Sequence, residues 1–277
     1  TCWQFPGVAR RANNFTGAML VLYVLARHPS QGYNYSAALL EEADEWHDII
    51  TLPMNEGRPN TTKLEYSSID WGVEVQIGMS RKTFLWFELA LRLFPRVNYI
   101  TKADDDIFLR VPQFLSDLLR LPQQRIYWGL SILAFLRRGN VTVRFRFAGG
   151  MCYTLSRDTA EWLVSYEPLK RLVHLPYTKE REKDFLSLGM NGEDYMVGRI
   201  LRVESPYTPL VFVAEMPCRF HNLYNESLQF SVNPKSVVIH HLEENDYAML
   251  MDRFGNGTTY SPRMRFWKKH KYMKFRC

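Results

Sequence analysis

Short apolar runs and longer stretches of helical spacing alternate along the chain. The first run, residues 18–26, is rich in β-branched and aliphatic side chains. It is about half of the ~20 residues a membrane helix needs, so it predicts a buried strand. Residues 36–46 predict a helix with Ser36 as N-cap and Glu41, Glu42, Asp44 and Glu45 on a solvated face. A short strand over 48–52 ends at Pro53, and the polar stretch 55–68 predicts a loop. Residues 82–94 form a helical pattern that is apolar almost all round, which implies burial. Pro95 stops it, and a strand over 97–103 follows. Beyond that, the pattern predicts a helix over 112–121, a strand over 125–129, an extended Arg-rich stretch over 141–155 and a helix over 157–166 capped by Ser156. Residues 167–192 read as a long loop with short helical turns. A helix over 193–202 and strands over 210–213 and 237–242 complete the list. Alternating strands and helices imply an α/β fold with βαβ units, a mostly parallel sheet and a ligand site beyond the carboxyl ends of the strands. No internal repeat or linker divides the chain, so one domain with two functional halves is expected.

Composition narrows the class. With 46% hydrophobic and 14% aromatic residues in 277, the chain is globular rather than disordered. Its net charge of +6 suggests a nucleic-acid partner until the distribution is considered. Seven Lys and Arg residues and no acid fall in residues 263–277, leaving a body near −1. That argues against nucleic acid. The same segment carries Phe266, Trp267, Tyr272 and Phe275, and reads as a partly packed basic aromatic tail, set at 256–277. Asn14, Asn34, Asn60, Asn140, Asn225 and Asn256 each begin an N-x-S/T sequon, an excess that points to the secretory pathway. Cys2, Cys152, Cys218 and Cys277 lack C-x-x-C spacing, which argues against zinc. They allow up to two disulfides in any of three connectivities.

The candidate chemistry is acidic. Asp104, Asp105 and Asp106 stand at a strand end between apolar segments. Two carboxylates about 4 Å apart repel by roughly 4 kcal/mol at an effective dielectric near 20, so a bound divalent cation would account for the cluster. Strand alternation puts Asp104 and Asp106 on one face and Asp105 on the other, and oxygen ligands favour Mg or Mn over zinc. Glu193-Asp194 opens a helix after Gly189-Met190-Asn191-Gly192. Such a pair either caps the helix or supplies a general base. His240 and His241 lie in an apolar strand, where alternation lets one of them reach a given site; His221 is a weaker candidate. Gly149-Gly150 allows a ligand or backbone to approach closely.

Three ordered segments resemble glycosyltransferase family 31, the β-1,3-galactosyl- and N-acetylglucosaminyltransferases. Lys102-Ala103-Asp104-Asp105-Asp106-Ile107-Phe108 resembles the family's K-[TA]-D-D-D-[VTI]-F motif. Residues 147–156 are similar to its glycine-rich G-G-x-x-Y-x-L-S segment, and Glu193-Asp194-Tyr195-Met196-Val197-Gly198 to its E-D-V-x-x-G motif. The style is closest to divergent members from trypanosomatid protozoa. Thr1-Cys2-Trp3 stands for the family's R-x-T-W, Gly150-Met151 replaces a longer glycine run, and residues 65–81 match poorly.

The resemblance implies a GT-A fold with a Rossmann-like sheet over 1–255, split into a nucleotide-sugar half (1–130) and an acceptor half (131–255). It implies an inverting transfer of galactose or N-acetylglucosamine from UDP-galactose or UDP-N-acetylglucosamine to a glycan acceptor on a glycoprotein or glycolipid. Mn2+, or Mg2+, is the implied cofactor, held by Asp106 and His240 with His241 as the alternative. Asp104, Asp105 and Lys102 are implied at the metal-nucleotide site and Asp194 as the base. A Golgi protein anchored by a membrane helix upstream of this segment is also implied. Clustered aspartates suit a metal-dependent phosphohydrolase too, and loss of activity would leave a carbohydrate-binding homologue.

Overall fold

The computed structural model describes residues 5–59, 72–208, 210–224, 228–267 and 272–277. In chain order the first elements are β1 (Val8–Ala9), β2 (Met19–Leu20), β3 (Tyr23–Arg27), α1 (Ala37–Trp46), β4 (Ile49–Asn55), α2 (Val73–Leu93), β5 (Tyr99–Ala103), β6 (Ile107–Leu109) and α3 (Val111–Leu118). The long hairpin β7 (Ile126–Arg138) and β8 (Val141–Ser156) leads into α4 (Arg157–Val164), α5 (Glu167–Val173), α6 (Glu182–Ser187) and α7 (Glu193–Arg199). The chain ends with β9 (Val211–Glu215), β10 (Phe220–Asn222), β11 (Val238–His240), α8 (Glu244–Phe254), β12 (Met264–Trp267) and β13 (Tyr272–Phe275).

The central sheet has the order β12-β13-β9-β7-β8-β5. Its β13/β9 and β9/β7 pairings are parallel and the other three are antiparallel. The α/β class holds, but this sheet is mixed rather than mostly parallel. The reason is local: β7 returns as β8 through Gly139-Asn140, with Gly139 at φ +58, where a parallel connection would need a crossover of a dozen or more residues. A second sheet, β10-β11-β6, and the parallel pair β3/β4 lie apart from it. β4 runs through Pro53, which the sequence reading took as its end; its register against β3 is irregular there, and an edge strand tolerates proline at such a place.

Successive residues of the central strands feed two cores. Tyr127 and Phe212 pack with α2, α4, α5 and α7, whereas Trp128 and Val213 pack with α3, α8 and the small sheet. α2 is longer than predicted and carries polar anchors on its buried face. Ser80 Oγ donates to the Met190 carbonyl at 2.7 Å and Arg81 Nε to that of Val173 at 2.9 Å, which fixes the segment entering α7. Ser36 caps α1 as expected, accepting the Leu39 N–H at 3.2 Å.

Residues 256–277, expected as a tail, supply the two strands at one edge of the central sheet. Phe275 is fully buried, and Cys277 is disulfide-bonded to Cys218. The intervening loop is clamped by α3 and its flanks: Arg110 donates to the Thr258 carbonyl, Gln113 to that of Tyr260 and Arg120 to that of Pro262. A buried cluster reinforces this junction. Arg219 pairs with Asp117 and Glu215, and its guanidinium lies 4.7 Å from the Phe275 ring centroid. Among the described residues, no helix is long and apolar enough to cross a membrane.

Candidate active site

The three aspartates sit in a bend between β5 and β6, not within a strand. Asp104 N–H donates to the Met151 carbonyl of β8 at 3.1 Å, and the Asp106 carbonyl accepts the Leu242 N–H at 3.2 Å. Tyr247 of α8 donates its hydroxyl to the Asp105 carbonyl at 3.1 Å. The bend is therefore held from three sides. Asp104 and Asp106 face one another's partners and Asp105 is exposed, as alternation suggested, although a bend produces it.

His240 joins the two facing aspartates. Its Nε2 lies 3.1 Å from Asp106 Oδ1 and 3.4 Å from Asp104 Oδ2. Its other ring nitrogen, Nδ1, is 2.9 Å from Asn222 Oδ1, so that nitrogen carries the proton and Nε2 is left for the carboxylates or a cation. Asn222 stands opposite His240 in the parallel β10/β11 register.

His241 corrects the alternation argument. The strand ends at His240, and His241 takes a left-handed conformation at φ +59 that turns its ring back. The two imidazoles stack at 3.9 Å, and His241 Nδ1 comes within 3.3 Å of Asp106 Oδ2. Asp106, His240 and His241 thus offer ligand atoms all within 4.8 Å of one another. One carboxylate and two imidazoles, with one ring oriented by Asn222, fit a divalent cation. His221 does not join them. It is buried in the small sheet against Ser236 Oγ at 2.9 Å, and burial pushes its pKa down, so it is a neutral core residue.

Lys102 links this cluster to the second acidic motif. Its ammonium lies 2.5 Å from Asp104 Oδ1, 2.9 Å from the Gly150 carbonyl and 2.8 Å from Glu193 Oε1. Burial pulls its pKa down, but Glu193 and Asp104 outweigh burial and raise it. Tyr153 of β8 donates to the other Glu193 oxygen at 2.9 Å, so this carboxylate is fully committed.

Asp194 is held differently. Its Oδ2 accepts the Gly150 N–H at 2.9 Å and its Oδ1 the Tyr195 N–H at 2.7 Å, and among the described residues no cationic side chain pairs with it. Burial and the neighbouring Glu193 charge push its pKa up to about 7, against the lowering effects of those amides and of Lys102. The helix start contributes little beyond Tyr195, so capping does not account for this carboxylate. Its position depends on two glycines. A Cβ on Gly150 would lie 3.0 Å from Glu193 Oε1, and one on Gly198 would lie 2.1 Å from Phe147 Cβ, so α7 reaches β8 only because both are bare.

The electrostatics of the aspartate-histidine cluster follow from its hydrogen bonds. His240 keeps Asp106 below its usual range despite burial. Asp104 is lowered as well, because His240 and Lys102 outweigh its burial. Burial lowers the His240 pKa, but its bonds to Asp104 and Asp106 prevail and push it up to about 9.

Asn222 and Tyr247 were not singled out from the sequence: pairing register and the packing of α8 place them, and neither leaves a local motif, whereas Tyr153 is the tyrosine of the G-G-x-x-Y-x-L-S segment.

Residues 3–132 match the family model Galactosyltransferase, the domain of glycosyltransferase family 31. The matched range contains Lys102 and the three aspartates; Gly150, Asp194 and His240 reach them through the fold. No curated protein matches the chain.

Two outcomes are expected. Lys102→Met leaves Glu193 buried without its cation and should cost about 3–5 kcal/mol in urea unfolding. Adding Glu193→Gln should recover much of that loss, whereas additive losses would show that the two side chains do not interact. In cation-free protein, the stabilisation from protonated His240 is fully present below its ordinary pKa of 6.5 and is lost as pH rises through about 9. A cation needs the deprotonated Nε2, so Mn2+ affinity measured by EPR should rise about tenfold per pH unit below that point. A flat profile would exclude His240 as a ligand.

Proposed function

From the family 31 galactosyltransferase domain in the first half of the chain, which supports glycosyltransferase activity in general, we propose a specific reaction. The protein transfers galactose or N-acetylglucosamine from a UDP-sugar to a hydroxyl of a glycan acceptor, with inversion and formation of a β-1,3 linkage, on a GT-A fold. The observation that carries this reading is the Lys102 bridge, which holds an aspartate-histidine cation cluster beside a separate carboxylate of raised pKa.

Asp106 with His240, and His241 beside them, would hold Mn2+ or Mg2+, which when bound neutralises diphosphate charge and favours departure of UDP. Asp194 takes the proton as the acceptor oxygen bonds to the anomeric carbon and the bond to the diphosphate breaks, its electron pair leaving with UDP. No residue need become covalently attached. The Gly150 and Tyr195 amides fix the direction of the Asp194 carboxylate. Glu193 raises its proton affinity, and Lys102 binds Glu193 while holding Asp104 toward the cation cluster. Residence in the Golgi lumen fits the Cys218–Cys277 disulfide and the sequon asparagines Asn14, Asn34, Asn140 and Asn256, all exposed.

Transfer at saturating donor and acceptor should rise with pH through about 7, as Asp194 loses its proton, and then level off. Asp194→Asn should bind UDP with Mn2+ as wild type does, yet lose roughly 10²–10⁴-fold in transfer rate. Asp106→Asn should weaken Mn2+-dependent UDP binding by roughly tenfold or more. Unchanged transfer in the Asp194 variant, or no transfer by wild type from either UDP-sugar across a broad glycan panel, would end this reading.

A further inference from the structure

A cavity of about 320 Å³ lies away from the aspartates, lined by Arg146 of β8, Arg202 in the π-turn after α7, Trp267 of β12 and Tyr272 of β13. All four side chains are half-buried. Neither arginine has a carboxylate within ion-pair distance among the described residues. Arg146 Nη1 donates to Ser131 Oγ at 3.0 Å, and the Arg202 guanidinium lies 5.8 Å from the Phe212 ring centroid. The acid nearest Arg202 in sequence, Glu204, is already bound by Arg199 and Arg138. Two partly desolvated guanidinium groups face a cavity and have no anion to match them. Trp267 and Tyr272, with ring centroids 5.4 Å apart, add flat apolar surface of the kind that the C–H face of a sugar ring covers.

The position of the cavity relative to Asp194 follows from how α7 lies on β8. Gly150 meets Asp194, and Phe147 meets Gly198, so the two elements run antiparallel and Arg146 and Arg202 fall at the same end. Four strand residues separate Arg146 from Gly150, roughly 13 Å. Eight helical positions separate Arg202 from Asp194, roughly 12 Å. The two rulers agree, and a short oligosaccharide spans that separation.

We propose that this cavity is an acceptor subsite for a negatively charged sugar, carrying a carboxylate or a phosphate ester, a few units from the hydroxyl presented to Asp194. Its catalytic relevance rests on the transferase reading, but binding of the anionic sugar does not. Guanidinium groups suit either anion because their paired N–H donors match both geometries.

The test is calorimetric binding of three trisaccharides to the full chain without donor: a neutral parent, the same sugar with a terminal uronate, and the same sugar with a phosphate monoester. At least one charged form should bind about tenfold more tightly than the parent, and Arg146→Gln should remove most of that advantage. A preference for one charged form identifies the anion, and equal preference shows that charge alone is read. Arg146 is chosen because, among the described residues, its side chain hydrogen-bonds Ser131, whereas replacing Arg202 also disturbs packing on Phe212; an unfolding curve checks that the variant is folded. Equal binding of all three sugars, or an Arg146 variant that keeps the preference, would overturn the subsite. Anion preference without transfer of any sugar by wild type would instead overturn the transferase reading and leave the subsite standing.

Discussion

The site depends on one buried ammonium. Without Lys102, Asp104 and Glu193 would bring two carboxylates into the same partly dry volume with no cation between them. With it, the two are held a few ångströms apart by a shared partner that also anchors the Gly150 carbonyl. The price is the desolvation of three charges, which the close geometry offsets. Asp194, next in sequence to Glu193, is excluded from this pairing and, among the described residues, is held by the backbone amides of Gly150 and Tyr195. That exclusion sets Asp194, whose pKa is pushed up to about 7, apart from Asp104, whose pKa is lowered.

The fold serves this arrangement by close backbone contact. β8 carries Gly150, Met151 and Tyr153, which touch Asp194, Asp104 and Glu193 in turn. α7 comes close enough because Gly198 lies against Phe147 with no room for a side chain. On the other side, the small sheet brings Asn222 and His240 into register, and α8 supports the aspartate bend through Tyr247. The C-terminal strands are tied in by the Cys218–Cys277 disulfide and by the buried Arg219 cluster, so the last residues belong to the same structure as the site.

Much of this was legible in the sequence because the polar residues concerned sit in short acidic motifs between apolar segments. Lys102, Asp104, Asp106, Glu193, Asp194 and His240 could all be named, and the structure brings them together. What could not be read depends on long-range geometry. His241 reaches Asp106 only through a left-handed residue that strand alternation does not anticipate, and Asn222 acquires its partner from a parallel pairing between segments eighteen residues apart. The length of β7 was missed because residues 130–138 pair in a hairpin with β8 and take their strand character from it. The terminal strands were missed for a related reason: clamps from α3 and pairing with β9 fix the terminal segment, and neither leaves a local signature.

The central claim is spatial: Lys102 joins the Asp104 side of the aspartate-histidine cluster, proposed to hold the cation, to Glu193 beside Asp194, proposed as the base. A crystal structure with Mn2+ and UDP, using anomalous scattering to locate the metal, measures this directly. The account predicts Mn2+ against Asp106 and His240 Nε2, the diphosphate on that ion, and the Asp194 carboxylate facing the space where the sugar would attach. Manganese bound elsewhere, or a diphosphate directed away from Asp194, would contradict it.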